Sequence, residues 1–198
     1  MPVTRLYLIR HGATNLTAED RFSGATGDLS DEGRRQIGAL AERLKKEEIQ
    51  ALYASPLQRT LDSALIIGGA IGLSPLLKDD LREISHGEWE GLTHDEARAK
   101  HPRAYEAWRK DPFRHAAEGG ESGQAVLDRA MPVIRDIVAV EQGKRVAVVS
   151  HKATLRLILC DLLTIDPSSY RDRLEQSPAC LNIVEVNEAG ARVLLLNG

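Results

Sequence analysis

The sequence has no excess of positive charge: Lys and Arg total 26 against 29 Asp and Glu, for a net charge of -3. Nucleic-acid binding neutralises a row of backbone phosphates, so this balance argues against it. It argues equally against adhesion to a membrane surface, although a local basic pocket stays open. Cysteine is scarce, at two residues. Cys160 falls in an apolar helical run and Cys180 opens a strand-like run, which reads both as packing residues in a reducing compartment rather than a disulfide or a catalytic thiol. No apolar run reaches membrane-spanning length. The N-terminus, Met1-Pro2-Val3-Thr4-Arg5, passes straight into a short strand without the apolar stretch of a signal peptide. Internal repeats, low-complexity tracts and linkers are missing too. Together these absences predict a cytoplasmic protein with no nucleic-acid or membrane partner.

What is present is ordinary for a soluble domain. Hydrophobic residues make up 42% and charged residues 28% of 198 residues, enough for one domain, residues 1–198, with a sizeable core. Leu6 to Ile9 is an apolar run consistent with a buried strand. Residues 12–29 are rich in Gly, Thr, Asn and Asp and read as a loop. Ser30 is a candidate N-cap for a helix carrying Ile37, Leu40, Ala41 and Leu44 on one face. Ile49 to Ala54 reads as a strand, and Ser55-Pro56 as a helix start with Ser55 as N-cap and Pro at the first helical position. That helix ends near Gly72, and Ser74 to Leu77 is a short strand candidate.

Residues 79–121 are irregular. Thr93 and Glu96 form a capping-box pattern, and Tyr105 and Trp108 anchor a second short helix. Ser122 caps a long helix presenting Val126, Leu127, Ala130, Val133, Ile134 and Ile137, with a kink expected at Pro132. Arg145 to Val149 is a β-branched strand, followed by a helix over 153–163 and a short one begun by Asp166-Pro167. Leu181 to Val186 and Arg192 to Leu196 read as a closing hairpin. Strands alternating with helices predict an α/β fold, a three-layer α/β/α sandwich around a mostly parallel sheet.

Two histidines stand at strand ends, where open α/β sheets place their ligand sites. Arg10-His11-Gly12 follows the first strand, and Ser150-His151 follows the strand that begins at Arg145. If those strands are neighbours, both side chains reach one crevice. Arg59 lies in the first turn of the helix after Ser55, where a helix N-terminus and a cation favour an anion. Glu83 follows Leu81-Arg82. His86, His94, His101 and His115 show no metal-ligand spacing and read as mostly solvated.

The set of motifs resembles the histidine phosphatase superfamily, the phosphoglycerate mutase-like proteins. The resemblance is carried by Arg10-His11-Gly12 with Thr14, by Ser55-Pro56-Leu57-Gln58-Arg59-Thr60, by Leu81-Arg82-Glu83 with Gly87-Glu88-Trp89-Glu90-Gly91, by Gly119-Gly120-Glu121-Ser122, and by Ser150-His151. It spans nearly the whole chain, in the family's order. It implies that His11 is a nucleophile that becomes phosphohistidine, that Arg10, Arg59 and His151 hold the phosphoryl oxygens, and that Glu83 protonates the leaving oxygen and later activates water. Such residue types suit phosphoryl transfer, which spreads charge over equatorial oxygens that fixed cations stabilise. An attacking imidazole must be neutral at one nitrogen.

The resemblance also implies substrate contacts at Thr17, Ser23 and Gly24. Thr17 and Ser23 depart from the Asn and Gln often found there. Lys152 stands where Gly is usual. It reads equally as a solvated Lys at a helix start or as a cation facing the substrate's second charged group; with Arg82 and Arg21 it hints at an anionic substrate. The expected reaction is metal-independent hydrolysis of a small phosphomonoester, a phosphorylated carboxylic acid or sugar, with no cofactor. The chain's end at Gly198, directly after its last strand, favours an open site and hydrolysis. The alternatives are a cofactor-dependent mutase, which would need 2,3-bisphosphoglycerate, and a phospho-ligand-binding module without turnover. The sequence does not fix an oligomeric state; members of the family it resembles often dimerise through sheet edges, and the closing hairpin offers such an edge for a homodimer.

Overall fold

The computed structural model describes residues 2–16 and 21–198. Its centre is a six-stranded sheet in the order β3-β2-β4-β1-β5-β6. The strands are β1 (Thr4–Arg10), β2 (Ala51–Ala54), β3 (Leu76–Leu77), β4 (Arg145–Ser150), β5 (Leu181–Asn187) and β6 (Gly190–Leu195). β3, β2, β4 and β1 pair parallel to one another, and β5 and β6 add an antiparallel hairpin at one edge. No helix among the described residues is long and apolar enough to cross a membrane.

Alternate residues of the central strands feed two separate cores, as expected when helices cover both faces of a parallel sheet. Leu6, Leu8, Val146 and Val148 pack against the helices α5 (Gly123–Val140) and α6 (Lys152–Leu162). Tyr7, Ile9, Ala147 and Val149 pack on the other face, against α1 (Asp31–Leu44) and α2 (Gln58–Ile71). This is the three-layer α/β/α arrangement. Ile37, Leu40, Ala41 and Leu44 are all buried on α1, and Ser30 caps it by accepting from the Gly33 N–H at 3.1 Å. α5 runs through Pro132 as one helix. A left-handed Gly72 ends α2.

The segment between β3 and α5 carries α3 (His94–Lys100), opened by the Thr93–Glu96 capping box, and α4 (Pro102–Lys110). Phe22, Trp89, Tyr105 and Trp108 form a small aromatic core there. A short α7 (Tyr170–Arg173) follows a single 3-10 turn at Pro167–Ser169.

One expected helix start is corrected. α2 begins at Gln58, with Leu57 at the cap position and no side-chain cap bond. The Ser55 hydroxyl instead accepts from the Leu57 N–H at 3.3 Å and engages His151 Nε2 at 2.8 Å.

Candidate active site

Sheet topology brings the motifs of the sequence together in one place. The register of β1 on β4 pairs Arg10 with Ser150, so His11 and His151, each one residue further on, leave adjacent strands side by side. Their ring centroids lie 5.2 Å apart. β2, on the other side of β4, delivers Ser55 and, through α2, Arg59; the 3-10 turn after β3 (Asp79–Leu81) delivers Glu83. All four parallel strands therefore bring a polar group to their carboxyl ends, where the strand order reverses.

His11 is buried at 5% exposure. Its Nδ1 lies 2.7 Å from the Gly12 carbonyl, which can only accept, so Nδ1 carries the proton and the lone pair is on Nε2. Arg59 Nε donates to that Nε2 at 3.2 Å. Burial, with Arg10 and Arg59 beside it, holds the His11 pKa well below its ordinary 6.5. The ring is thus a neutral imidazole whose unprotonated nitrogen accepts from a guanidinium. Gly12 has a steric reason to be glycine: a Cβ there would meet the Gly33 carbonyl oxygen at 2.4 Å, because the loop packs directly on the first turn of α1.

Arg59 is held in place by three acceptors, its other two nitrogens donating to the Thr26 and Gly24 carbonyls. Arg10 donates through Nη1 to the Gln176 carbonyl at 2.7 Å. Among the described residues, two buried side-chain nitrogens have no hydrogen-bond partner, Arg10 Nε and His151 Nδ1. Both flank His11. Ser55 Oγ accepts from the Leu57 N–H, and its own proton has His151 Nε2, at 2.8 Å, as acceptor, which assigns the His151 proton to Nδ1. The orphan atoms are therefore two donors, an arrangement that suits an acceptor-rich anion and little else.

Glu83 sits at the N-terminus of α6. Its carboxyl oxygens accept from the N–H groups of Ala153 and Thr154 at 3.3 Å, while the Thr154 hydroxyl donates to the Arg82 carbonyl at 2.8 Å. The helix that begins after His151 thus also holds the acid in position. The segment around Glu83 is clamped from behind. Arg129 donates to the carbonyls of Arg82 and Glu83 and pairs with Glu121, which accepts from the Ser85 N–H. The Gly119–Ser122 motif earns its place through that Glu121.

A cavity of about 390 Å³ opens over these groups. Arg10, His11, Arg59, Glu83, Ser23 and Lys152 line it, whereas His151 lies fully buried behind. Two expected substrate contacts are placed differently. Arg82 does not line the cavity: its guanidinium turns to Asp79 at 2.7 Å and Glu121 at 3.6 Å. Gly24 does not line it either, and its carbonyl holds Arg59. Thr17 lies outside the described residues. Two of the histidines expected to be solvated, His86 and His94, line the cavity. Burial lowers the His86 pKa, and both rings pack against Phe22, His86 edge-on and His94 tilted, with centroids at 4.9 and 4.4 Å. Thr154, Arg129 and Gln176 carried no sequence signal, because each acts by holding another side chain in place. No three His, Cys, Asp or Glu side chains among the described residues gather into a metal-binding group. Both cysteines are free and buried.

The model of the histidine phosphatase superfamily (branch 1) matches residues 6–198. The chain belongs to that superfamily. It is 32% identical over 169 residues to phosphoserine phosphatase 1 of Hydrogenobacter thermophilus, covering 85% of this chain and 80% of that protein. It is 38% identical over 191 residues to a bifunctional protein of Mycobacterium tuberculosis, 95% of this chain but only 52% of the relative's length. A solved structure of a mycobacterial glucosyl-3-phosphoglycerate phosphatase superposes with a TM-score of 0.90 at 29% identity, over 99% of both chains. This protein is a phosphomonoester phosphatase of the histidine phosphatase type.

Proposed function

We propose that this histidine-type phosphatase hydrolyses a small phosphorylated metabolite, a carboxylic acid or sugar ester, in two steps through a phosphohistidine at His11. The neutral Nε2 attacks phosphorus, an N–P bond forms and the ester P–O bond breaks. Glu83 gives its proton to the departing alkoxide. Water then attacks the phosphohistidine, Glu83 takes its proton, and inorganic phosphate leaves with His11 restored. Arg10, Arg59 and His151 neutralise the equatorial oxygens in both steps.

The observation that carries this reading is the pair of buried, unpartnered donors, Arg10 Nε and His151 Nδ1, flanking a neutral imidazole. Leaving such atoms unpaired costs about 1–3 kcal/mol each, and phosphoryl oxygens are acceptors of the right kind. Neither step needs a metal or a cofactor, and the reaction fits a cytoplasmic protein acting alone or as a homodimer. The test is release of inorganic phosphate from a panel of phosphomonoesters with chelator present, for the wild type beside His11→Ala. Release that the variant lacks supports the reading. Release that survives in the variant overturns it.

A further inference from the structure

The cavity contains more positive charge than one phosphoryl group requires. Beyond Arg10 and Arg59, its lining includes Lys152, Arg156 and Arg171, with Glu175 as the carboxylate near them. These cations are not equivalent. Arg156 is buried at 7% exposure, donates to the Leu174 carbonyl and meets Glu175 at 3.3 Å, so it is committed to holding the 174–175 segment. Lys152 and Arg171 are not committed in that way. Neither side chain donates a hydrogen bond to any described residue. Lys152 is 3.9 Å from Glu175, beyond hydrogen-bonding reach, and Glu175 is already engaged by Arg156 and 65% exposed. The Arg171 guanidinium carbon sits over the Trp108 ring, 4.1 Å from its centroid, a cation–π contact that leaves its N–H groups unspent.

Lys152 is also badly placed for the fold. It is the first residue of α6, where the helix dipole disfavours a cation. Burial, then Arg156 and Arg10, press its pKa below the ordinary value, with Glu175 opposing and Arg171 adding to the effect. A residue that works against its own helix and its neighbours is better explained by a ligand than by stability.

We propose that Lys152 and Arg171 form a subsite for a second anionic group, a carboxylate, on the phosphomonoester whose phosphoryl group sits at His11. This rests on the phosphatase reading above and narrows it: the pair selects phosphorylated carboxylic acids over neutral phosphorylated alcohols and sugars. Arg171 offers a planar fork that matches a carboxylate, and Lys152 supplies a point charge beside it. The two residues come from α6 and α7, which pack against each other, so their spacing is set by the packing of those helices.

The test compares phosphoglycolate with 2-hydroxyethyl phosphate, which differ by a carboxylate against a hydroxymethyl group. The wild type prefers phosphoglycolate in kcat/KM. Lys152→Met and Arg171→Gln each lower the ratio of the two kcat/KM values by about tenfold, the size of one charge-assisted contact, and the loss falls mainly in KM. Lys152→Arg keeps the preference. Lys152→Met also melts no lower than the wild type, because it relieves the crowding of cations, whereas a Lys serving only the fold would melt lower when removed. A wild type that does not discriminate between the esters, or a ratio unmoved in both variants, overturns the proposal. Should neither ester be hydrolysed, the phosphatase reading fails on its own. The subsite is then judged by calorimetric titration of the same esters into the wild type and Lys152→Met: tighter binding of phosphoglycolate that the variant loses upholds it, and equal binding overturns it.

Discussion

Ser55→Ala separates two accounts of the same residue. Read as a helix cap, Ser55 stabilises α2 by about 1 kcal/mol and has nothing to do with turnover. In the structure it is fully buried and its hydroxyl donates to His151 Nε2 at 2.8 Å while accepting from the Leu57 N–H. Removing that hydroxyl strips a partner from a ring with 0% exposure, and a buried polar group left without its partner costs about 1–3 kcal/mol. We expect a loss near 2 kcal/mol, or roughly 4–8 °C in Tm for a chain of this size. The tautomer of His151 is also released, so Nδ1 no longer presents a donor beside His11. Loss of one oriented donor to a transferring group costs about 100-fold in kcat, and a partial loss of orientation gives about 10- to 100-fold. Thermal melts and phosphate-release assays on the same preparation check both numbers. A Tm within about 2 °C of wild type with kcat within about twofold would refute the assigned role and return Ser55 to a turn residue.

Other expectations follow from the same geometry. His11 and His151 are both held well below the ordinary 6.5, chiefly by burial and then by the arginines. Unfolded histidines gain protons as pH falls through about 6.5 while the folded ones do not, so stability is retained above that pH and lost below it, at up to about 1.4 kcal/mol per pH unit for each group. Urea midpoints between pH 7.5 and 5.5 should fall, and His11→Ala should flatten the fall; a midpoint that rises on acidification contradicts the burial argument. Gly12→Ala forces a Cβ to within 2.4 Å of the Gly33 carbonyl oxygen and should lower stability by about 1–3 kcal/mol together with kcat; unchanged melting would show that the loop gives way. Arg129→Met leaves Glu121 and the Glu83 segment unclamped and should cost about 2–3 kcal/mol, with kcat falling more than KM rises. Prolonged treatment with chelator should leave phosphate release unchanged; inactivation reversed by a divalent cation would contradict a metal-free mechanism.

Much of this architecture could be read in advance, and for identifiable reasons. The strands β1 and β4 are continuous apolar runs because both faces are covered, and a run of that kind ending in a polar triplet marks the carboxyl edge of the sheet. His11 and His151 could therefore be placed together on the single condition that β1 and β4 are neighbours, which the register of Arg10 on Ser150 meets. Arg59 was legible because it follows β2 by a fixed helical offset. What stayed hidden depends on tertiary choices. Arg82 looked like a substrate contact until Asp79 and Glu121 claimed it. Gly24 acts through its carbonyl, which any residue type would present, although a Cβ there would collide with Glu90 Oε1 at 2.2 Å. His86 and His94 reached the cavity because Phe22, from a distant loop, gathers them onto its ring. Ser55 misled because Ser-Pro is a helix-start signal and nothing local says that a histidine 96 residues away takes the hydroxyl instead.

The account depends most on His11 as the atom that accepts phosphorus. Rapid mixing of enzyme with an ester carrying a labelled phosphoryl group, quenched in base to preserve an N–P bond, tests it directly. The prediction is a transient label that peptide mapping assigns to His11, that accumulates in Glu83→Gln when the ester has a leaving group needing no proton, such as 4-nitrophenolate, and that is absent from His11→Ala. A label on any other residue, or full turnover by His11→Ala with no labelled protein, would contradict it.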